Sequence, residues 1–267
     1  MYSFADIPNL HTHTSLCKHA KGNPADYCDV AQKHSDIIGF SDHCPFPDDR
    51  NNAERMLFAE LTEYSNLVED AKKQYPGMTV FRGIEAEFHE DIGNDFYSDT
   101  LLNKYTMDYL VGSAHYCSDK KGSQFHFSNY KADLKVAKYF CDLTLKIIES
   151  GLFLFVAHPD AFMVPYDNAT KEHESMFKDI ISCAVQYNVP LELNGMGIRY
   201  KRNYPCRRFW EIAAEYSHLQ TVISSDAHKP DHLFDSAVET ALDWANELQL
   251  NICNCKIAEK IKRGIKK

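Results

Sequence analysis

Histidines and carboxylates recur in this chain at the C-terminal ends of short apolar, β-branched runs, and these are side chains that bind divalent metal ions. His11-Thr12-His13 ends the first run, Asp42-His43 the second and Glu85-Ala86-Glu87 the third. His115, His158, an Asn194 turn and Asp226-Ala227-His228 end the next four, so that six of the seven ends carry a residue able to hold a metal. Side chains alternate across a strand, so His11 and His13 face one way, as do Asp226 and His228, and each pair can grip one centre. Glu85 and Glu87 also share a face, and alternation does not choose between them. One such histidine alone reads as a satisfied structural group. The set, gathered at one end of every strand, reads as a multinuclear metal site, with zinc, iron or manganese all suited to imidazole and carboxylate donors.

Such a set needs elements that bring every strand end to one face. The chain alternates short apolar runs with longer amphipathic ones, the βαβα pattern of a parallel sheet. Strands are predicted over 7–13, 37–42, 79–88, 109–115, 153–158, 190–194 and 221–225. Helices are predicted over 24–34, 54–74, 129–150, 171–187, 206–216 and 236–248, with a short one near 95–104. Seven strand–helix units imply an α/β fold, a distorted (β/α)7 barrel of TIM-like type, with the metal site at the C-terminal ends of its strands. The basic tail, 251–267, is predicted as a surface helix; an eighth strand hidden there would give an ordinary eight-stranded barrel instead.

Composition narrows the function. A chain of 267 residues, 44% hydrophobic, can bury one sizeable core and reads as a single domain over 1–267. A formal net charge of −9 argues against nucleic acid as a partner, because backbone phosphates call for basic surface. It does not exclude small phosphorylated substrates, since bound divalent cations reverse the local sign. Nine scattered cysteines suggest reduced thiols and a cytoplasmic location. Cys253-Asn254-Cys255 has no matching cysteine pair with which to build a zinc site. The N-terminus does not read as a signal peptide, and the longest apolar stretch, 151–157, is too short to span a membrane.

In order along the chain stand His11-Thr12-His13, Ser41-Asp42-His43, Gly83-Ile84-Glu85, His115, His158-Pro159 and Ser225-Asp226-Ala227-His228. This series resembles the polymerase-and-histidinol-phosphatase (PHP) family, which carries H-x-H, S/T-D-H, G-x-E, single-His, H-P and S-D-x-H motifs on successive strands of a distorted seven-stranded barrel. The resemblance implies three divalent metal ions. One would be held by His11, His13, Glu85 and Asp226, a second by Glu85, His115 and His158, and a third by His19, His43 and His228. It also favours Glu85, placed after Gly83, over Glu87. The implied activity is that of a histidinol phosphatase, hydrolysing L-histidinol phosphate to L-histidinol and phosphate through a metal-bridging hydroxide. A nucleotide or short-oligonucleotide phosphoesterase of the same family is the alternative, and a non-catalytic metal-binding domain is a third reading. An amidohydrolase ranks below these, because no lysine ends a strand where its bridging group belongs.

Other residues receive narrower expectations. Asp42 and His228 are the expected catalytic residues, Asp42 by orienting the neighbouring His43. Arg199, in the two-glycine turn Gly195-Met196-Gly197-Ile198-Arg199, is expected to fork onto phosphate oxygens, as an arginine there does in the histidinol phosphatases this chain resembles. The two glycines would let backbone approach the ligand. Lys201, Arg202 and His232 are weaker candidates for the same contact. Asp160, and less so Asp48-Asp49, could meet a substrate amine. His34, His89, His126, His173 and His218 have no motif around them and read as structural or surface groups.

Overall fold

A computed structural model describes residues 1–118 and 124–264. Six parallel strands form its main sheet: β1 (Ile37–His43), β2 (Thr79–Ala86), β3 (Tyr109–Gly112), β6 (Phe155–Val156), β7 (Leu191–Asn194) and β8 (Thr221–Ser224), hydrogen-bonded in that order. Two further short strands, β4 (Tyr116–Ser118) and β5 (Gln124–His126), pair antiparallel beside it, an addition the sequence pattern did not reveal.

The expected first strand does not form as one. Segment 7–13 instead makes isolated parallel bridges, Asn9 with Ile38 and Thr12 with Ala227. Gly39 N donates to Asn9 O at 2.8 Å and Ser41 N to Thr12 O at 2.9 Å, while His13 N donates to Ala227 O at 2.9 Å. One segment therefore lies beside both β1 and the continuation of β8. Its ladder is interrupted for local reasons. Pro8 has no N–H to offer, and Asn9 turns its amide inward, donating to His11 O at 3.0 Å and accepting from Ser225 N at 2.7 Å. The sheet thus has six strands, with a bridged segment where the seventh was expected.

The helices between strands follow the amphipathic pattern. They are α1 (Pro24–Ala31), α2 (Leu61–Gln74), α3 (Leu134–Ser150), α4 (Lys171–Tyr187), α6 (Arg207–Ala214) and α7 (Ser236–Leu248). Asn23 precedes Pro24 at the start of α1 and Gly151 ends α3 at φ 67°, both as the sequence suggested. The short segment Phe96–Lys104 winds as a π-helix. A five-residue helix, α5 (Gly195–Arg199), occupies the expected two-glycine turn, capped by Asn194 accepting from Gly197 N at 3.1 Å.

Two packed layers carry the fold. One lies between sheet and helices; the other fills the sheet's inner face with Leu10, Phe81, Tyr109, Val111, Phe155 and Val222. The tail helix, α8 (Asn254–Lys262), is more than a surface helix, because it sends Ile257 and Ala258 into that inner layer with Cys253. Lys266 and Lys267 of the predicted tail lie outside the described residues. Tyr109 spans the interior, its hydroxyl donating to Leu10 O at 2.7 Å and Phe40 O at 3.1 Å. A Cβ at Gly83 would stand 2.5 Å from its ring and one at Gly39 2.3 Å from its oxygen. Gly83 in the G-x-E motif therefore makes room for the tyrosine beneath the glutamate.

Candidate metal centre

Above Tyr109 the strand ends bring nine side chains to one place. Glu85 is central: His11, His13, His43, His115 and His158 each set a ring nitrogen 2.9–3.6 Å from its oxygens. Asp226 lies 3.2 Å from His13 Nε2 and 3.7 Å from His11 Nε2. Three imidazole pairs face each other through Nε2: His11 and His13 at 3.1 Å, His115 and His158 at 3.2 Å, His19 and His228 at 3.0 Å. Two nitrogens on one tetrahedral zinc, each about 2.0–2.1 Å from it, lie roughly 3.3 Å apart. The spacing matches donors converging on shared cations.

Three of the other ring nitrogens are anchored outward, which fixes the inward tautomer of those rings. His11 Nδ1 meets Glu192 at 2.7 Å, His115 Nδ1 meets Glu87 at 2.9 Å, and His19 Nδ1 donates to Cys17 O at 2.8 Å. Glu87 is itself held by the buried guanidinium of Arg55 through bonds of 2.9 and 3.0 Å. Glu85 and Glu87 thus have different surroundings, cluster against Arg55. Asp42 is buried, accepting from Thr14 and from His43 N at 3.1 Å, and its carboxylate stands 3.5 Å from His13 Nδ1, so it faces the ring of His13 and only the backbone of its neighbour His43. Cys17, which the sequence reading passed over, places its sulfur within 4.8 Å of donor atoms on His19 and His228.

Backbone strain gathers here too. His158 has φ 31° and Asp226 φ 48°, left-handed values that non-glycine residues rarely adopt. Glu192 Oε2 accepts from His158 N at 3.0 Å, and Asn194 Nδ2 donates to Asp226 at 3.1 Å. The β7 end, expected as a turn, thereby supplies the brace for two neighbouring strand ends.

Cations fit this cluster for a physical reason. Glu85 Oε2 and Asp226 Oδ1 are buried and have no hydrogen-bond donor among the described residues, although ring nitrogens stand close by. Leaving a carboxylate oxygen so is costly unless a cation meets it. In the protein alone, protons fill part of that role. Burial alone would discharge His11, but Glu192, Asp226 and Glu85 outweigh it and hold His11 well above the ordinary imidazole range. The same contest, won by Asp226 and Asp42, raises His13. Burial is likewise outweighed at His115, where Glu85 and Glu87 raise it to about 10. His43 and His228 go the other way, lowered by burial and by the charge of His13. Burial would raise Glu85, yet His115, His11 and His43 hold it well below the usual carboxylate range.

A pH effect follows from these directions. His115 and the facing His11–His13 pair carry protons at neutral pH, and a metal must displace them. Zinc added to metal-free protein at pH 7 is therefore expected to release protons, up to about three from His11, His13 and His115, with affinity rising toward pH 9. Titration in weakly buffered solution with a pH indicator measures this; uptake without proton release would contradict it.

Over the cluster opens a cleft of about 260 Å³ lined by His19, His43, His115, His158, Asp226 and His228 below, and by Glu54, Tyr116, His126, Phe127, Arg202 and Tyr204 on its walls. His126 is therefore a wall residue and not a motif-free surface histidine; its ring stacks on His115 at 5.6 Å. Arg199 is not among the lining residues. Its Nε and Nη2 grip Asp235 at 2.5 and 3.1 Å, and it donates to Ser225 O at 3.1 Å and His232 O at 2.9 Å. Asp235 in turn caps α7. Four of its five N–H donors are thus spent on the chain itself, and both edges of the expected phosphate fork are engaged. The two glycines likewise approach backbone, with a Cβ at Gly197 standing 2.1 Å from Tyr204 O and one at Gly195 3.1 Å from Ser224 O. His232 remains beside Arg199, away from the cleft lining.

Arg202 takes the cleft position. It lies against the rings of Tyr200 and Tyr204, 5.9 Å from each centroid, and its one side-chain hydrogen bond among the described residues is to Tyr204 at 3.4 Å. Asp160, expected to meet a substrate amine, is fully buried and accepts from Cys206 N at 2.6 Å. Asp48 is engaged with Arg50 at 2.8 Å.

Parallel strands ending in this cluster define the class to which the chain belongs. A PHP domain is matched over residues 9–195, and the chain is a member of the PHP family. Its relatives include the probable histidinol-phosphatase of Deinococcus radiodurans, 27% identical over 245 residues, covering 87% of this chain and 92% of that protein. The probable histidinol-phosphatase of Schizosaccharomyces pombe is 26% identical over 249 residues, 82% of this chain and 80% of that one. Among solved structures, histidinol phosphate phosphatase from Lactococcus lactis, in complex with zinc, L-histidinol and phosphate, superposes with a TM-score of 0.72. That match covers 93% of this chain and 95% of the other at 14% identity, a likeness of fold. No helix among the described residues is long and apolar enough to cross a membrane.

Proposed function

We propose that this chain is a metal-dependent phosphomonoesterase that hydrolyses L-histidinol phosphate to L-histidinol and phosphate, working in the cytoplasm as a single PHP-type domain over 1–267. One observation carries the reading: two facing imidazole pairs and His43 surround Glu85, with the His19–His228 pair in the same cleft floor, beneath a wall that holds Arg202 with no carboxylate partner among the described residues. The names of the two relatives agree with it.

Three divalent ions would be held by His11, His13, Glu85 and Asp226; by Glu85, His115 and His158; and by His19, His43 and His228. Metal bound there would supply neutralisation of phosphoryl oxygens and a water acidic enough to attack near neutral pH. The chain's own groups do the rest. Glu192, Glu87 and Asp42 hold His11, His115 and His13 with their inner nitrogens turned to the cluster. That makes Asp42 a positioning residue, while His228 lies at the cleft itself. Arg202 offers a planar, permanently charged fork to the phosphate, the role expected of Arg199. Phosphate monoesters are among the slowest esters to hydrolyse unaided, so this concentration of positive charge has a purpose.

The cavity is near the lower end of small-molecule pockets, roughly 300 Å³, which favours one small metabolite over an oligonucleotide. Phosphate release from L-histidinol phosphate, compared with a panel of nucleoside bisphosphates and short oligonucleotides, tests the reading. A clear preference for L-histidinol phosphate in kcat/KM supports it, and a preference for any nucleotide overturns it.

A further inference from the structure

L-Histidinol phosphate carries an ammonium group on the carbon next to its phosphorylated CH2. With the phosphate over the cluster, that cation needs an acceptor within the same cleft. Glu54 and Asp226 are the carboxylates among the described lining residues, and Asp226 belongs to the buried cluster. Glu54 is held in place: its Oε2 accepts from the Tyr116 hydroxyl at 2.6 Å. Tyr116 is fixed in turn, with the Arg55 guanidinium over its ring at 5.6 Å and His126 edge-on at 5.3 Å. Arg55 does not neutralise Glu54, because its charge is committed to Glu87. A negative group is therefore presented to the same cleft by a braced phenol.

We propose that Glu54, positioned by Tyr116, is the subsite for the ammonium group of an amino-alcohol phosphate and selects cationic phosphomonoesters over neutral-chain ones. This rests on the phosphatase reading above. Glu54 is exposed, so water competes for the ion pair and the effect is moderate.

The test compares L-histidinol phosphate with its des-amino analogue, the same chain, ring and phosphate with hydrogen in place of the ammonium. Wild-type protein, Glu54→Gln and Tyr116→Phe are assayed on both, with metal content measured on each preparation. Wild type is expected to favour the ammonium compound. Glu54→Gln should lower the ratio of the two kcat/KM values about tenfold, mostly through KM, with metal content unchanged. Tyr116→Phe should lower the same ratio by less. A ratio unchanged in Glu54→Gln, or a wild type that hydrolyses both compounds equally well, overturns the subsite and leaves the phosphatase reading standing. A wild type that hydrolyses neither compound overturns that reading, and the subsite with it.

Discussion

Glu85→Gln is expected to lose nearly all bound metal and nearly all turnover, while Glu87→Gln keeps most of its metal and loses stability instead. The two glutamates share a strand face but not a task. Glu85 stands among five imidazoles and offers an oxygen with no hydrogen-bond donor among the described residues. Converting it to an amide removes the charge at the junction of two proposed metal sites. Glu87 neutralises the buried Arg55 and anchors His115. Its amide variant leaves that guanidinium unpaired, which costs about 3–5 kcal/mol when one partner of a buried pair is removed. Metal analysis, phosphate release and urea denaturation on both variants check this. Equal metal loss from the two would show that the junction is misplaced.

Arg202→Ala is expected to leave the metals bound and lower kcat/KM by roughly 10²-fold, the scale of losing one transition-state donor. Arg202→Lys should recover part of that, having the charge but not the fork. Arg199→Ala should behave differently. It cuts the link from α5 to the cap of α7 and leaves Asp235 without its partner, so the expected result is a loss of about 2–4 kcal/mol in unfolding free energy. Steady-state kinetics beside denaturation curves separates the two. Were Arg199→Ala fully stable but catalytically impaired, the roles assigned to the two arginines would be reversed.

The contrast between these arginines shows what the sequence could and could not reveal. Strand alternation and the regular placement of histidines were enough to bring His11, His13, His115 and Asp226 together, because period-two geometry and a parallel sheet leave few other arrangements. The same rule, applied to Glu192 two residues before Asn194, would have placed that carboxylate inside as well. Arg199 and Arg202 lie where no period governs. Their separate fates depend on Asp235, more than 30 residues away in the chain, capturing one of them. The interrupted first strand was hidden for a similar reason, since its ladder gives way to side-chain bonds from Asn9 that propensity does not encode. The hairpin that brings Tyr116 and His126 to the cleft is built from strands of three residues each, too short for a periodic signal.

The most direct measurement is phosphate release from L-histidinol phosphate by one preparation assayed as purified, after removal of its metals by chelation and dialysis, and after reloading with zinc or manganese. Turnover is expected to fall to background with the metals and to return in proportion to the metal restored. Full turnover by metal-free protein would contradict the metal-dependent phosphatase proposed for this cluster.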